Sequence, residues 1–169
     1  MKLSTKELTL CAMLTAMALG LSYLENLFPV LIPVPGVKLG LANIVTLFAL
    51  YALGGGQAML ILLGRCILGA VFAGNMNAMI FSVLGGVTAM LVMILLSRSK
   101  KLSVYGVSIG GAAGHNCGQI AAAMITLGNT APLYYLPILL GVSLGTGAVT
   151  GLVCAGVFRT LNRTGLMKG

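Results

Sequence analysis

The chain has 169 residues, of which 59% are hydrophobic and only 7% are charged, and its mean hydropathy is +1.07. A soluble domain of this size cannot bury so much apolar surface, because a large share of a small globule lies at its boundary. A lipid bilayer removes that constraint by acting as the apolar solvent. The composition therefore excludes an ordinary soluble domain and predicts one integral membrane domain over residues 1–169.

Six apolar runs predict six transmembrane helices and hence an all-α fold. In chain order the predicted helices cover Leu8–Leu24, Leu39–Leu53, Gln57–Phe72, Ala78–Ser97, Val104–Leu127 and Leu136–Phe158. The second and third are short, since a span needs ~20 residues. Around Gly54-Gly55-Gly56 the sequence leaves open a five-helix alternative in which these two merge into one hairpin.

The basic residues indicate how the chain is oriented. With six spans, eight of the ten bases fall on one side of the membrane. These eight are Lys2, Lys6, Arg98, Lys100, Lys101, Arg159, Arg163 and Lys168. Only Lys38 falls in a loop on the other side, and Arg65 lies within the third helix. Because cytoplasmic loops carry the excess of Lys and Arg, both termini are predicted to be cytoplasmic. Bases in short clusters between apolar runs do not indicate a nucleic-acid partner.

Polar residues inside the predicted spans are the candidate site, because such groups are costly in a bilayer and usually functional. Arg65 lies about halfway along the third helix, and Asn43 lies near the outer end of the second. His115, Asn116 and Gln119 lie at middle to outer depth on the fifth, where His115 and Gln119 share a face because they are four residues apart. The inner half is almost wholly apolar, which favours a pocket that captures a solute from outside over a channel. These five residues are the predicted ligand-binding set, with Arg65 suited to a phosphate or carboxylate.

A structural role is the alternative for the same residues. Arg65 and His115 would then tie helices together through backbone carbonyls or through Glu25. For Asn43, and for Asn75 and Asn77 in the second outer loop, capping and turn roles are the ordinary alternative to ligand contact.

No catalytic, metal or cofactor site is predicted, and we expect no enzyme activity from this chain. The four cysteines lie in apolar segments without a short metal-binding spacing, and there is a single histidine. There is no GxxxxGK[ST] phosphate-binding loop, so the chain does not itself use ATP to drive transport. No Ser/His/Asp set or carboxylate pair for hydrolysis is evident.

Small residues predict where helices pack closely. The fifth helix has glycine at every fourth position from Gly106 to Gly118, and the sixth has Gly147, Gly151 and Ala155. Such stripes let two backbones approach each other in a membrane.

Three stretches carry a family resemblance. They are Pro35-Gly-Val-Lys-Leu-Gly-Leu-Ala-Asn-Ile-Val-Thr-Leu47, then Gly64-Arg65, and then Gly114-His115-Asn116-Cys-Gly-Gln119. Together they resemble the Gx transporter family, often labelled heptaprenyl diphosphate synthase component I. Members of that family are similar to the substrate-binding S-components of energy-coupling factor (ECF) vitamin transporters.

The resemblance implies a multi-pass protein of a prokaryotic cell membrane with an S-component-like bundle. It implies an ECF transmembrane coupling subunit and ATPase subunits as partners. In S-components an Ala-x-x-x-Ala face of the first helix meets the coupling subunit, and Ala12 and Ala16 fit that pattern. The family's association with flavin trafficking implies a flavin as one ligand, and its label implies a prenyl or other phosphate-bearing molecule as another.

The leading hypothesis is thus a substrate-binding subunit of an ECF-type importer for a small vitamin-like or phosphate-bearing solute. A second hypothesis is a non-catalytic accessory subunit of prenyl diphosphate or quinone synthesis. The chain contains no aspartate, whereas prenyl diphosphate synthases hold magnesium through aspartate-rich motifs, and magnesium prefers carboxylate oxygens. A third hypothesis is a structural subunit of a membrane flavin-dependent redox complex.

Overall fold

Six α-helices make up the chain in the computed structural model, which describes residues 4–27, 40–99 and 101–164. They are α1 (Thr5–Leu27), α2 (Leu41–Leu53), α3 (Gly55–Ala73), α4 (Met76–Ser97), α5 (Val104–Leu127) and α6 (Leu136–Arg163). A short 3₁₀ helix, Ala131–Tyr135, leads into α6. The described ranges contain no strand, and the predicted all-α fold with six helices is confirmed.

Local capping sets several of the helix boundaries. Ser4 and Glu7 form a capping box at the start of α1, in which the Glu7 N–H donates to Ser4 Oγ (3.3 Å) and the Ser4 N–H donates to Glu7 Oε2 (2.8 Å). The Asn75 Oδ1 accepts from the Ala78 N–H and caps α4, which confirms the capping role weighed for this asparagine. Gly54, at φ 94°, ends α2 and precedes α3. These are two separate helices, and the five-helix alternative is wrong.

The helices alternate in direction, so that their ends form two opposite faces of the bundle. Near the start of α1 and of α3, Gln57 Nε2 donates to Glu7 Oε1 (3.1 Å). Where α1 ends and α2 begins, the Gly40 N–H donates to Glu25 Oε1 (2.6 Å). We call the face with Glu7 and Gln57 the basic end, because the described bases other than Arg65 lie toward it. The opposite face, with Glu25 and Gly40, is the cavity end.

Close packing of α5 against both of its neighbours organises the bundle. A Cβ added to Gly118 would lie 2.5 Å from the Leu84 carbonyl oxygen and 2.8 Å from the Gly85 Cα of α4. On the other side, a Cβ at Gly147 of α6 would lie 2.6 Å from the Ile109 Cα. The predicted glycine stripes therefore do bring helix backbones together, as small residues do in membranes.

Four helical segments are long and apolar enough to cross a membrane: Thr5–Glu25, Gly55–Ala73, Met76–Ser97 and Ala131–Arg163. The two others depart from the standard span for different reasons. α2 is an apolar helix of only 13 residues, which rises about 20 Å, against a hydrocarbon core of about 30 Å. α5 has 24 residues, but His115, Asn116 and Gln119 lower its hydropathy.

Candidate functional site

A cavity of about 370 Å³ lies among α1, α2, α3, α4 and α5 toward the cavity end of the bundle. Its polar lining comes from the end of α1, the start of α2, the middle of α3, the start of α4 and the second half of α5. These polar residues are Ser22, Glu25, Asn43, Arg65, Ser82, His115 and Gln119. Residues from five helices thus converge on one space, and Arg65 and His115 border the same cavity.

Arg65 is the charged group at the centre of this arrangement. Its side chain is only 9% exposed. One guanidinium nitrogen, Nη2, donates to Asn43 Oδ1 (3.1 Å), and Nη1 donates to Ser22 Oγ at a longer 3.4 Å. Nε is buried and has no hydrogen-bond partner among the described residues. A buried cation held by two neutral side chains, with a donor still unused, is well placed to receive an anionic group.

Glu25 lines the cavity and interacts electrostatically with Arg65, but its hydrogen bond is made elsewhere. Its Oε1 accepts the backbone N–H of Gly40, which begins α2 with a left-handed φ of 78°. Both hydrogen bonds described for Arg65 go to neutral side chains. The tie between Arg65 and Glu25 that the structural alternative invokes is therefore not among its hydrogen bonds.

His115 and Gln119 form one wall of the cavity from consecutive turns of α5. They lie against Gly85 of α4, where an added Cβ would meet His115 Cε1 at 2.9 Å and Gln119 Cγ at 3.1 Å. A larger residue at position 85 would therefore push both side chains away from α4. The Gln119 Oε1 is buried without a hydrogen-bond partner in the described part of the chain. It is an acceptor that a ligand N–H or O–H can satisfy.

Asn116 does not line the larger cavity with the other four predicted residues. Its Nδ2 donates to the Leu139 carbonyl of α6 (2.8 Å). It borders a second cavity of about 40 Å³, which adjoins the first at Gly40, Asn43 and His115. The ligand contact predicted for Asn116 stays a prediction, while its amide nitrogen already joins α5 to α6.

The sequence analysis did not predict the wall of small and apolar residues that completes the larger cavity. On α3 this wall consists of Gly69, Ala70 and Ala73, and on α4 it includes Ala78 and Phe81. Gly69 and Ala73 follow Arg65 at intervals of four residues, so they continue its face of α3. That run of small residues beyond a buried arginine was the available signal, because small side chains leave space where larger ones would fill it.

The α1 residues predicted to meet a partner are on the surface of the bundle. Ala12 and Ala16 are both exposed, one turn apart. For metal binding, the described ranges contain no group of three or more His, Cys, Asp or Glu residues that could hold an ion.

A family model described as heptaprenyl diphosphate synthase component I matches residues 14–157. The match covers α2 to α5 and most of α1 and α6, and so it includes every residue of the cavity. No curated protein and no solved structure matched the chain.

Proposed function

The chain belongs to the heptaprenyl diphosphate synthase component I family, and from this premise we propose that it is the substrate-binding membrane subunit of an ECF-type importer. The proposal rests on one observation: Arg65 is buried, its Nε donor is unused, and it lines the same cavity as His115 and Gln119. Buried charges in membrane helices face binding sites or water-filled cavities.

The ligand would be a small molecule with a phosphate or carboxylate group. Arg65 would bind that group, because guanidinium presents a planar fork of donors that matches such anions. Asn43 would hold the guanidinium in place, while His115 and Gln119 would contact the neutral part of the ligand. A volume of about 370 Å³ lies within the range of small-molecule sites, roughly 300–1,000 Å³. A flavin is the ligand class that the family resemblance favours.

Uptake would begin at the cavity end, which faces outside if the basic end is cytoplasmic. Separate coupling and ATPase subunits would then drive release inward. The exposed Ala12 and Ala16 face of α1 is where the coupling subunit would dock, because small residues allow close helix contact.

Native mass spectrometry of the purified protein tests the binding role. The protein would be offered riboflavin, flavin mononucleotide and a short prenyl diphosphate, each separately. We expect a one-to-one adduct with one of them, and a roughly 10- to 100-fold weaker adduct in Arg65→Ala, because a hydrogen-bonded charge pair contributes about 1.5–3 kcal/mol. The adduct of Arg65→Lys should be weaker than that of the wild type and stronger than that of Arg65→Ala, since lysine keeps the charge but lacks the planar fork of donors.

Arg98→Ala is the matched control, because Arg98 is exposed at the far end of α4. An adduct of equal strength in Arg65→Ala and in the wild type would remove Arg65 from the site. No adduct from a monodisperse, folded sample would contradict a binding subunit for these ligands.

The family description provides the observation that favours a second function, an accessory role in prenyl diphosphate synthesis. Co-purification from native membranes separates the functions. Co-purification of an ATPase would support the importer. If the ATPase no longer co-purifies with the Ala16→Leu variant, docking through α1 would be supported as well. A soluble prenyl diphosphate synthase in its place would support the accessory role, and a flavoprotein would support a subunit of a redox complex.

A further inference from the structure

A separate cavity lies at the basic end of the bundle, away from the Arg65 site. It is open, has a volume of about 670 Å³, and lies where the last turns of α2 and α6 meet the start of α5. Its lining is Tyr51, Val104, Ala155, Phe158, Arg159, Asn162 and Arg163. Two arginines and an amide therefore border it, and none of the described lining residues is acidic.

Two of the lining residues, Tyr51 and Phe158, belong to an aromatic cluster. The ring of Phe158 stacks on Phe48 at a centroid distance of 5.1 Å and meets Tyr51 edge to face at 6.0 Å. Arg159 and Arg163 follow Phe158 on α6, so they lie farther toward the basic end. Aromatic rings with bases just beyond them are typical of the level at which a membrane protein meets lipid headgroups.

Among the described residues, the positive charge of this cavity has no acidic partner nearby. Glu25 lies at the opposite end, and the Glu7 carboxylate is engaged by Ser4 and by Gln57. Val104 adds the N-terminus of α5, whose first N–H groups carry partial positive charge. Two cations side by side in this arrangement can attract an anionic group.

The same face of α6 becomes apolar deeper in the membrane. Leu152 lies seven residues before Arg159, which places it on the same side of the helix, and it is 63% exposed. A ligand that fills this face needs an anionic head and a hydrocarbon tail. We propose that the cavity binds the phosphate headgroup of an anionic membrane lipid through Arg159 and Arg163, with an acyl chain lying along Leu152.

Lipid binding is measured by native mass spectrometry of the full chain in detergent, titrated with phosphatidylglycerol or with phosphatidylcholine of the same acyl chains. We expect phosphatidylglycerol to bind more tightly. The double variant Arg159→Gln/Arg163→Gln should weaken its binding roughly 30-fold, since each base near anionic lipid contributes about 1 kcal/mol. Arg98→Gln removes an exposed base at the same end that does not line the cavity, and it should bind as the wild type does.

Equal binding of the two lipids, or an unchanged affinity in the double variant, would overturn the proposal. Displacement of the lipid by millimolar inorganic phosphate would show a site for free anions and would overturn the lipid assignment. If the double variant does not fold, Arg159→Lys/Arg163→Lys replaces it. That variant keeps the charge but loses the bidentate fork, and it should bind phosphatidylglycerol measurably more weakly than the wild type.

Discussion

Two buried polar residues of the bundle, Arg65 and Asn116, differ in how their polar atoms are satisfied. The Asn116 amide nitrogen is bound to the Leu139 carbonyl, which ties α5 to the first turn of α6. Arg65 has two neutral partners, and its Nε has none among the described residues. A polar atom that is already bonded within the protein favours a structural role, whereas a buried donor without a partner leaves a position for a ligand.

We therefore predict that Asn116→Ala mainly lowers stability. Losing one interhelical hydrogen bond in a membrane protein costs about 0.6–1 kcal/mol, a melting-temperature decrease of roughly 2–4 °C for a chain of this size. Thermal unfolding in detergent measures the decrease, and native mass spectrometry should show a ligand adduct like that of the wild type. An adduct weakened as strongly as in Arg65→Ala would instead show that the ligand reaches the smaller cavity beside Asn116, and it would support the sequence-based prediction for Asn116.

Four of the five predicted site residues line the Arg65 cavity, but only for His115 and Gln119 did spacing also predict that they lie together. His115 and Gln119 are four residues apart, and they do line one cavity. Asn116 is adjacent to His115 in sequence, but one residue turns an α-helix by about 100° and directs it toward α6. The rotation of α5 about its axis follows from its packing against α4 and α6, which spacing on a single helix does not contain.

At the scale of elements, the helix boundaries were predictable where a capping residue or an apolar run marks them. The predicted Val104–Leu127 coincides with α5, between the Ser103 cap and Gly128 at φ 65°. The predicted start of α1 at Leu8 was three residues late, although the Ser4–Glu7 capping box was visible in the sequence. The predicted end of α6 at Phe158 was five residues early, because the apolar run stops there while the helix continues through Arg163.

The contact between α4 and α5 leads to a second prediction, on Gly118. Gly118→Ala would bring a Cβ within 2.8 Å of backbone atoms of α4, which cannot move aside as a flexible side chain can. We expect the free energy of unfolding to fall by about 1–3 kcal/mol, as for overpacked cores. The ligand adduct should also be weaker, because α4 and α5 form two walls of the cavity.

Gly141→Ala is the control for this substitution. Gly141 is also helical, but it is exposed and has no atom within 4 Å of an added Cβ. The melting temperature of the Gly141→Ala variant in detergent should equal or slightly exceed that of the wild type, since alanine favours the helix. A similar decrease in both variants would mean that the α4–α5 contact does not determine the effect, because alanine raises helix propensity at both positions.

For the molecule as a whole, the two ends of the bundle differ in charge. Lys6, Arg98, Lys101, Arg159 and Arg163 lie toward the basic end, and the Arg65 cavity lies toward the other. The predicted positions of Lys2, Lys38, Lys100 and Lys168 lie outside the described residues. The described bases other than Arg65 are thus concentrated at one end of the bundle. By the positive-inside rule, that end would be cytoplasmic.

This orientation predicts which positions are accessible from outside the cell. Thr130, between α5 and α6, and Ser99, between α4 and α5, are both exposed and are separated by one helix. A membrane-impermeant maleimide added to intact cells should label Thr130→Cys but not Ser99→Cys, and Ser99→Cys should react once the cells are permeabilised. The wild-type chain supplies the background from its own four cysteines.

The reverse pattern would put the Arg65 cavity on the cytoplasmic side and contradict uptake from outside. Labelling of both positions from the same side would show that α5, whose polar residues lower its hydropathy, does not cross the membrane.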